Sequence, residues 1–210
     1  MFDFDGTLAE LNIDFPYMRR AILNLIAGEG VPSDGFAHLH ILEMIDAAAG
    51  EVGKLRPGGR AAFHRQAHEI IRSIELDAAG RGRLLPGTIS LLQRLRRDGR
   101  KSAVVTRNCR SAVIELFPEI GDFCDLVLAR DDVPLVKPDT DHLIRSLRAL
   151  ETKPQDSAMV GDHPMDMRMG KSTGTWTIGV LSGHSLEDEL RQAGADVVLE
   201  NAICLLALLS

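Results

Sequence analysis

At 210 residues, 45% hydrophobic and 26% charged, the chain can bury one large domain carrying a smaller insertion. A formal net charge of -6 argues against a general grip on nucleic acid or on an anionic membrane surface, so an anionic ligand needs a local cation. No apolar run approaches a membrane span, and the first residues are acidic where a secretory leader is basic. Cys109, Cys124 and Cys204 lack metal-ligand spacing, so the expectation is a cytoplasmic chain with free thiols.

The chain opens on "MFDFDGTLAE", in which Asp3 and Asp5 alternate as at a strand end, ahead of Gly6 and Thr7. Strands usually run to about five or six residues, but only Met1 and Phe2 precede Asp3. The expectation is an abnormally short first strand or a natural start upstream. Residues 12–82 then read as helical: "FPYMRRAILNLIAGEG" (15–30), "GFAHLHILEMIDAAAGEV" (35–52) and "GRAAFHRQAHEIIRSIELDAAG" (59–80) are separated by turn-rich "GVPSDG" and "LRPGGR". "RGRLLPG" (81–87) reads as the return linker.

Beyond it, short apolar runs alternate with amphipathic stretches. Strands are expected at 102–106, 125–129, 157–161, 175–180 and 196–199, and helices at 88–99, 109–117, 139–150, 165–174 and 185–194. Gly99, Gly174 and Gly194 fall where helix C-caps belong. A final helix is expected over "AICLLALLS" (202–210). Strand alternating with helix means crossover connections, hence a Rossmann-like α/β fold with a parallel sheet covered by helices on both faces. The expected organisation is a core of residues 1–11 and 83–210, with an all-helical insertion over 12–82 after the first strand.

Ligands of such sheets collect beyond the carboxyl ends of the strands. The residues that follow each strand are Asp3, Asp5 and Thr7; then Thr106, Arg107 and Asn108; then Gly161, Asp162 and, further on, Asp166. Lys137 lies in the loop "RDDVPLVKPD". Carboxylates this close repel one another unless a cation is present, and an all-oxygen set suits Mg²⁺. Lys137, the Thr106 hydroxyl and the main-chain N–H groups after it can hold phosphoryl oxygens. Paired aspartates can divide nucleophilic attack from acid/base work.

"DFDGT", Thr106 at the end of an apolar strand, Lys137 before Pro138, and "GDHPMD" resemble, in order, the four motifs of the haloacid dehalogenase superfamily. Within it the chain is similar to the phosphoglycolate-phosphatase-like branch, whose α-helical cap is inserted after the first motif. The resemblance implies Asp3 as a nucleophile that forms an aspartyl-phosphate and Asp5 as general acid/base. It implies Mg²⁺ held by the Asp3 side chain, the Asp5 main-chain carbonyl and Asp162. Thr106 and Lys137 would bind phosphate, and Lys137 would also steady Asp3. "TRN" departs from the commoner Thr-Asn pairing of the family, so Arg107 is expected as a further substrate contact of its own, beside Asn108. Gly6, Thr7, Gly161 and Asp166 would be supporting residues, Asp166 aiding the metal shell or orienting Lys137. The implied activity is Mg²⁺-dependent hydrolysis of a small phosphorylated metabolite resembling phosphoglycolate, by a monomer or homodimer. A phosphomutase of the same branch (β-phosphoglucomutase-like) is the alternative, and a non-enzymatic phospho-binding or signalling domain a more distant one.

Each motif alone has a plainer explanation: an acidic turn, a capping hydroxyl, a solvated lysine. Their ordered occurrence together favours the functional reading. Asp131 and Asp132 fit a solvated loop, and His64 with His68 an exposed helical face. His163 fits a rim position. Arg19, Arg20, Lys54, Arg56 and Arg60 are candidate anion contacts in the helical insertion, most of them expected to be solvated.

Overall fold

The computed structural model describes residues 1–208. Two units make up the chain: Met1–Leu11 together with the chain from Ala79 onward, and Asn12–Ala78. Among the described residues no helix is long and apolar enough to cross a membrane. Cys109, Cys124 and Cys204 are free thiols.

The opening residues fold back tightly. Gly6 has φ +76°, which a residue without Cβ adopts freely, and its N–H donates to the Ala9 carbonyl at 2.7 Å. The chain then enters strand β1 (Ala9–Glu10), antiparallel to β2 (Arg83–Leu84). The expected plain linker over 81–87 therefore contains a strand. Two residues are too short to carry a period-2 signal, and the pairing is stabilised instead by the Leu8 carbonyl, which accepts from Leu85 N at 2.9 Å and Thr88 Oγ1 at 2.7 Å.

In the unit Asn12–Ala78, helix α1 (Phe15–Gly28) starts where Asp14 accepts from Tyr17 N at 2.8 Å and Pro16 occupies the first turn. Met18, Ile22 and Ile26, four apart, form its buried stripe. Helix α2 (Ile41–Leu55) buries Leu42, Ile45, Ala49 and Val52, and α3 (Gly59–Ala79) buries Phe63, Ala67 and Ile71. The expected helix from 35 begins only at Ile41. Residues Asp34–Phe36 form a single 3-10 turn, because the buried stripe starts at Leu42 and nothing before it favours a longer helix. Arg56 and Glu29 pair at 2.8 Å.

In the other unit, helix α4 (Thr88–Arg97) leads to strand β3 (Ala103–Val105). Helices α5 (Arg110–Leu116) and α6 (Ile120–Phe123), the latter a single turn too short to predict, precede β4 (Leu126–Leu128). Helix α7 (Thr140–Ala149), β5 (Ala158–Gly161), α8 (Pro164–Thr173), β6 (Trp176–Val180), α9 (Glu187–Gln192) and β7 (Val197–Leu199) complete the alternation. β3 pairs with β4, and β5–β6–β7 form a second ladder, all parallel. Phe2 joins the two: it bridges Val104 on one side and Val160 on the other, both parallel. The first strand is thus one bridging residue, held by Phe2 N to Ala103 O, Val105 N to Phe2 O and Asp3 N to Val160 O, each at 2.8 Å. The sheet order is β4–β3–Phe2–β5–β6–β7. Met1, Ala103, Val105 and Met159 from the sheet pack with Leu143, Leu147 and Met169 from α7 and α8 in one apolar cluster. The expected final helix is a 3-10 helix over Ala202–Leu208, and its last two expected residues lie outside the described residues.

Candidate active site

Parallel strands bring their carboxyl ends to one edge. Phe2 delivers Asp3, β3 delivers Thr106, and β5 ends at Gly161 to deliver Asp162. Pro164 and the N-cap residue His163 start α8, which carries Asp166 in its first turn. One oxygen from each of Asp3, Asp162 and Asp166 lies within 4.8 Å of the others, the sole such group of acidic, histidine or cysteine side chains among the described residues.

Lys137 is buried and joins two of these acids. Its Nζ lies 2.7 Å from Asp3 Oδ1 and 2.8 Å from Asp166 Oδ1. Asp3 Oδ1 also accepts from Phe4 N at 2.7 Å, and Asp166 Oδ2 from His163 N at 3.3 Å. Burial works against the Lys137 ammonium, but Asp166 and Asp3 more than offset it and hold its pKa above the ordinary lysine range. Burial raises Asp166 to about 6 despite the opposing ammonium. Asp162 goes furthest, to about 8, through burial and then the negative charge of Asp3 and Asp166.

Three carboxylates facing one ammonium form a site with excess negative charge. Asp162 retains its proton near neutrality unless a cation takes the proton's place. Hard oxygen donors, close convergence and a strongly raised pKa together fit a divalent cation such as Mg²⁺. The Asp5 carboxylate stands outside that triplet: its Oδ1 accepts from Leu11 N at 2.9 Å, and burial raises it to about 6. That is a range in which a carboxyl can give and take a proton near neutral pH.

Thr106 is buried, and its Oγ1 accepts from Asn108 N at 3.2 Å. The Asn108 Nδ2 donor is buried with no hydrogen-bond partner. The Arg107 guanidinium bonds the main-chain carbonyl of Lys137. Thr7 Oγ1 reaches Asp162 Oδ1 at 3.4 Å. A Cβ on Gly161 would fall 2.4 Å from Asp166 Oδ2. Of the sequence-predicted residues, Asp3, Lys137, Asp162 and Asp166 come together, with Gly6 and Thr7 close against Asp162 and Gly161 against Asp166. Thr106 and Asn108 bond each other, and Asp5 and Arg107 each turn to a protein partner.

The loop after β6 also belongs to this edge, and nothing in its sequence, "LSGHSL", signals it. Ser182 Oγ donates to the Gly6 carbonyl at 2.7 Å, and Gly183 lies so close to Asp162 that a Cβ there would fall 1.8 Å from Oδ2. An electrostatic interaction with His184 works against the burial that raises the Asp5 carboxyl. Outside the site, Asp132 pairs with Arg110 at 2.6 Å while Asp131 accepts from Arg110 N at 2.8 Å, so this acidic pair fastens the start of α5. His163 Nδ1 caps α8 by accepting from Met165 N at 3.2 Å. In the helical unit, His64 contacts Asp46 at 3.3 Å and stacks on His68 with ring centroids 4.2 Å apart. Lys54 pairs with Glu51 at 2.7 Å, and Arg19 donates to the Ala37 carbonyl.

Several known proteins are similar to this chain over much of its length. An uncharacterized hydrolase of Saccharomyces cerevisiae is 30% identical over 190 residues, covering 88% of this chain and 77% of that protein. The pyrophosphatase PpaX of Bacillus cereus is 33% identical over 198 residues, covering 86% of this chain and 81% of the relative. Against the PpaX of Halalkalibacterium halodurans the match spans about half of that protein's length (54%). The crystal structure of CbbY from Rhodobacter sphaeroides in complex with phosphate superposes with TM-score 0.64 at 25% identity, over 96% of this chain and 93% of that one. A family model described as haloacid dehalogenase-like hydrolase matches residues 1–180. With a parallel sheet whose edge gathers Asp3, Thr106, Lys137 and Asp162 in that order, the chain belongs to the haloacid dehalogenase-like hydrolases.

Proposed function

We propose that the protein is a Mg²⁺-dependent phosphatase that hydrolyses a small phosphomonoester, of which phosphoglycolate is the model, through an aspartyl-phosphate on Asp3. The observation that carries this reading is the Lys137 ammonium bridging Asp3 and Asp166, with Asp162 completing one close group of carboxylates. Asp3 Oδ1 is already engaged by Lys137 and Phe4 N, which leaves Oδ2 to attack phosphorus. As that P–O bond forms, the bond from phosphorus to the leaving oxygen breaks, and the Asp5 carboxyl gives that oxygen its proton. Asp5, now ionised, takes a proton from water, whose oxygen attacks phosphorus. The bond to Asp3 breaks, phosphate leaves, and both aspartates return to their starting states.

Asp3, Asp162 and the Asp5 main-chain carbonyl would hold Mg²⁺, with Asp166 behind them. Bound there, Mg²⁺ supplies positive charge that offsets the clustered carboxylates and the phosphoryl oxygens. Thr106, Lys137 and the unpaired Asn108 amide supply donors to those oxygens, and Arg107 acts by holding the Lys137 main chain. The helical unit 12–78 is assigned as the cap that selects the substrate, inserted after the first motif.

The test is phosphate release from a panel of small phosphorylated metabolites, with Mg²⁺ and with chelator. Wild type is expected to be active only with the metal, and Asp3→Asn to lose about a thousandfold or more in kcat/KM while staying folded. Full activity in Asp3→Asn overturns the covalent route. Conversion of a hexose 1-phosphate to its isomer without free phosphate replaces hydrolysis by a mutase.

A further inference from the structure

Lys137 does its work from a loop, where no strand ladder fixes the backbone, yet its ammonium meets two carboxylates at hydrogen-bonding distance. We propose that His142 is a positioning residue whose Nε2–H tautomer locks the main chain of Lys137 to that of Thr106. This deepens the phosphatase reading and rests on it.

His142 stands in the first turn of α7 with no exposed surface. Its Nδ1 lies 3.3 Å from Lys137 N, a group that can only donate. Its Nε2 lies 3.0 Å from the Leu128 carbonyl, a group that can only accept. The two partners therefore assign the ring: Nδ1 carries the lone pair and Nε2 the proton. The Leu128 carbonyl, at the end of β4, also accepts from Thr106 N at 3.1 Å. One carbonyl and one imidazole thus link the two phosphate-binding candidates, and Arg107 closes the frame on the Lys137 carbonyl.

A protonated ring would set N–H against the Lys137 N–H and a second cation beside its ammonium. Lys137 and Arg107 both disfavour the imidazolium, and Asp3 offsets them only in part. Burial first, and then the ammonium, lower the imidazole to about 4, so the ring stays neutral at working pH. Sequence offers no hint of this, since a histidine five residues after the lysine reads as an ordinary helix-start residue.

Two measurements on the full chain test the role. Ring ¹⁵N shifts of histidine-labelled wild type, with His142 assigned by its loss in His142→Leu or His142→Asn, are expected to show protonated Nε2 and bare Nδ1 from pH 6 to 8. A protonated Nδ1, or titration near 6.5, overturns the proposal. Steady-state kinetics on p-nitrophenyl phosphate with Mg²⁺ then compare variants. In Asn, Oδ1 takes the place of Nδ1 and accepts from Lys137 N, whereas Leu fills the space and accepts nothing. His142→Leu is expected to lose about tenfold to a hundredfold in kcat with a smaller change in KM, and His142→Asn to recover much of it. An active wild type with unchanged kcat in His142→Leu overturns the positioning role alone. A wild type inactive on every ester overturns the phosphatase reading, and this role falls with it. Should the Leu variant fail to fold, the wild-type ring tautomer and the Asn variant decide.

Discussion

Lys137 and Asp166 form an ion pair 2.8 Å apart in which neither side chain meets solvent beyond a trace, 2% for the lysine and 0% for the aspartate. A buried pair contributes little net stability over an apolar pair, but removing one partner strands a charge. Lys137→Met leaves Asp3 and Asp166 facing each other with no ammonium. The expected result is a loss of roughly 3–5 kcal/mol, read as a Tm lower by roughly 6–20 °C. Adding Asp166→Leu to that variant is expected to recover part of the loss. Calorimetry of the two variants checks this, and a Tm within a degree of wild type for Lys137→Met would refute it.

Gly183 approaches the Asp162 carboxylate more closely than any side chain could. The atom it would displace is the end of a side chain, so Gly183→Ala can fold by turning Asp162 aside. The expected outcome is a Tm near wild type with Mg²⁺ affinity weaker by about tenfold to a hundredfold, measured by titration calorimetry. Undiminished affinity would mean that Asp162 does not hold the ion.

Asp162 has an ordinary pKa of 3.8 and about 8 in the folded protein. Between these values the native state binds a proton that the unfolded chain has lost, so this group's contribution to stability falls as pH rises, then levels above about 8. In chelator, the Tm of wild type minus that of Asp162→Asn is expected to decrease from pH 5 to pH 8. Saturating Mg²⁺, which binds the ionised carboxylate, is expected to remove that decline. A flat difference in chelator would count against the raised pKa.

Asn108 carries a buried amide donor without a partner, a deficit of about 1–3 kcal/mol that a phosphate oxygen would make good. Asn108→Ala is expected to raise KM for phosphomonoesters about tenfold while leaving the substrate-free Tm unchanged or slightly higher. A lower Tm with unchanged KM would assign Asn108 to structure alone.

Much of the sheet was legible because parallel strands and their helices carry local, periodic signals. The expected strand at 157–161 is Ala158–Gly161, and the expected helix at 88–99 is Thr88–Arg97. What escaped was short or aperiodic. β1 and β2 have two residues each and exist only through each other. The 3-10 turn at Asp34–Phe36 lies where the expected helix over 35–52 would begin, ahead of a buried stripe that starts only at Leu42. Ser182 and Gly183 carry no chemical signature, and they enter the site because β6 ends beside β5.

The sequence by itself determined which residue types follow which strand: two aspartates after Phe2, a threonine after β3, an aspartate after β5 and a lysine in the loop before α7. Those assignments depend on order along the chain, which alternation of strand and helix makes readable. Only the tertiary structure decided that Asp166, rather than Asp5, joins Asp3 and Asp162 in one carboxylate cluster, and that His142 braces Lys137. Such choices depend on burial and charge summed through space, from segments far apart in the chain, and no local pattern encodes that sum.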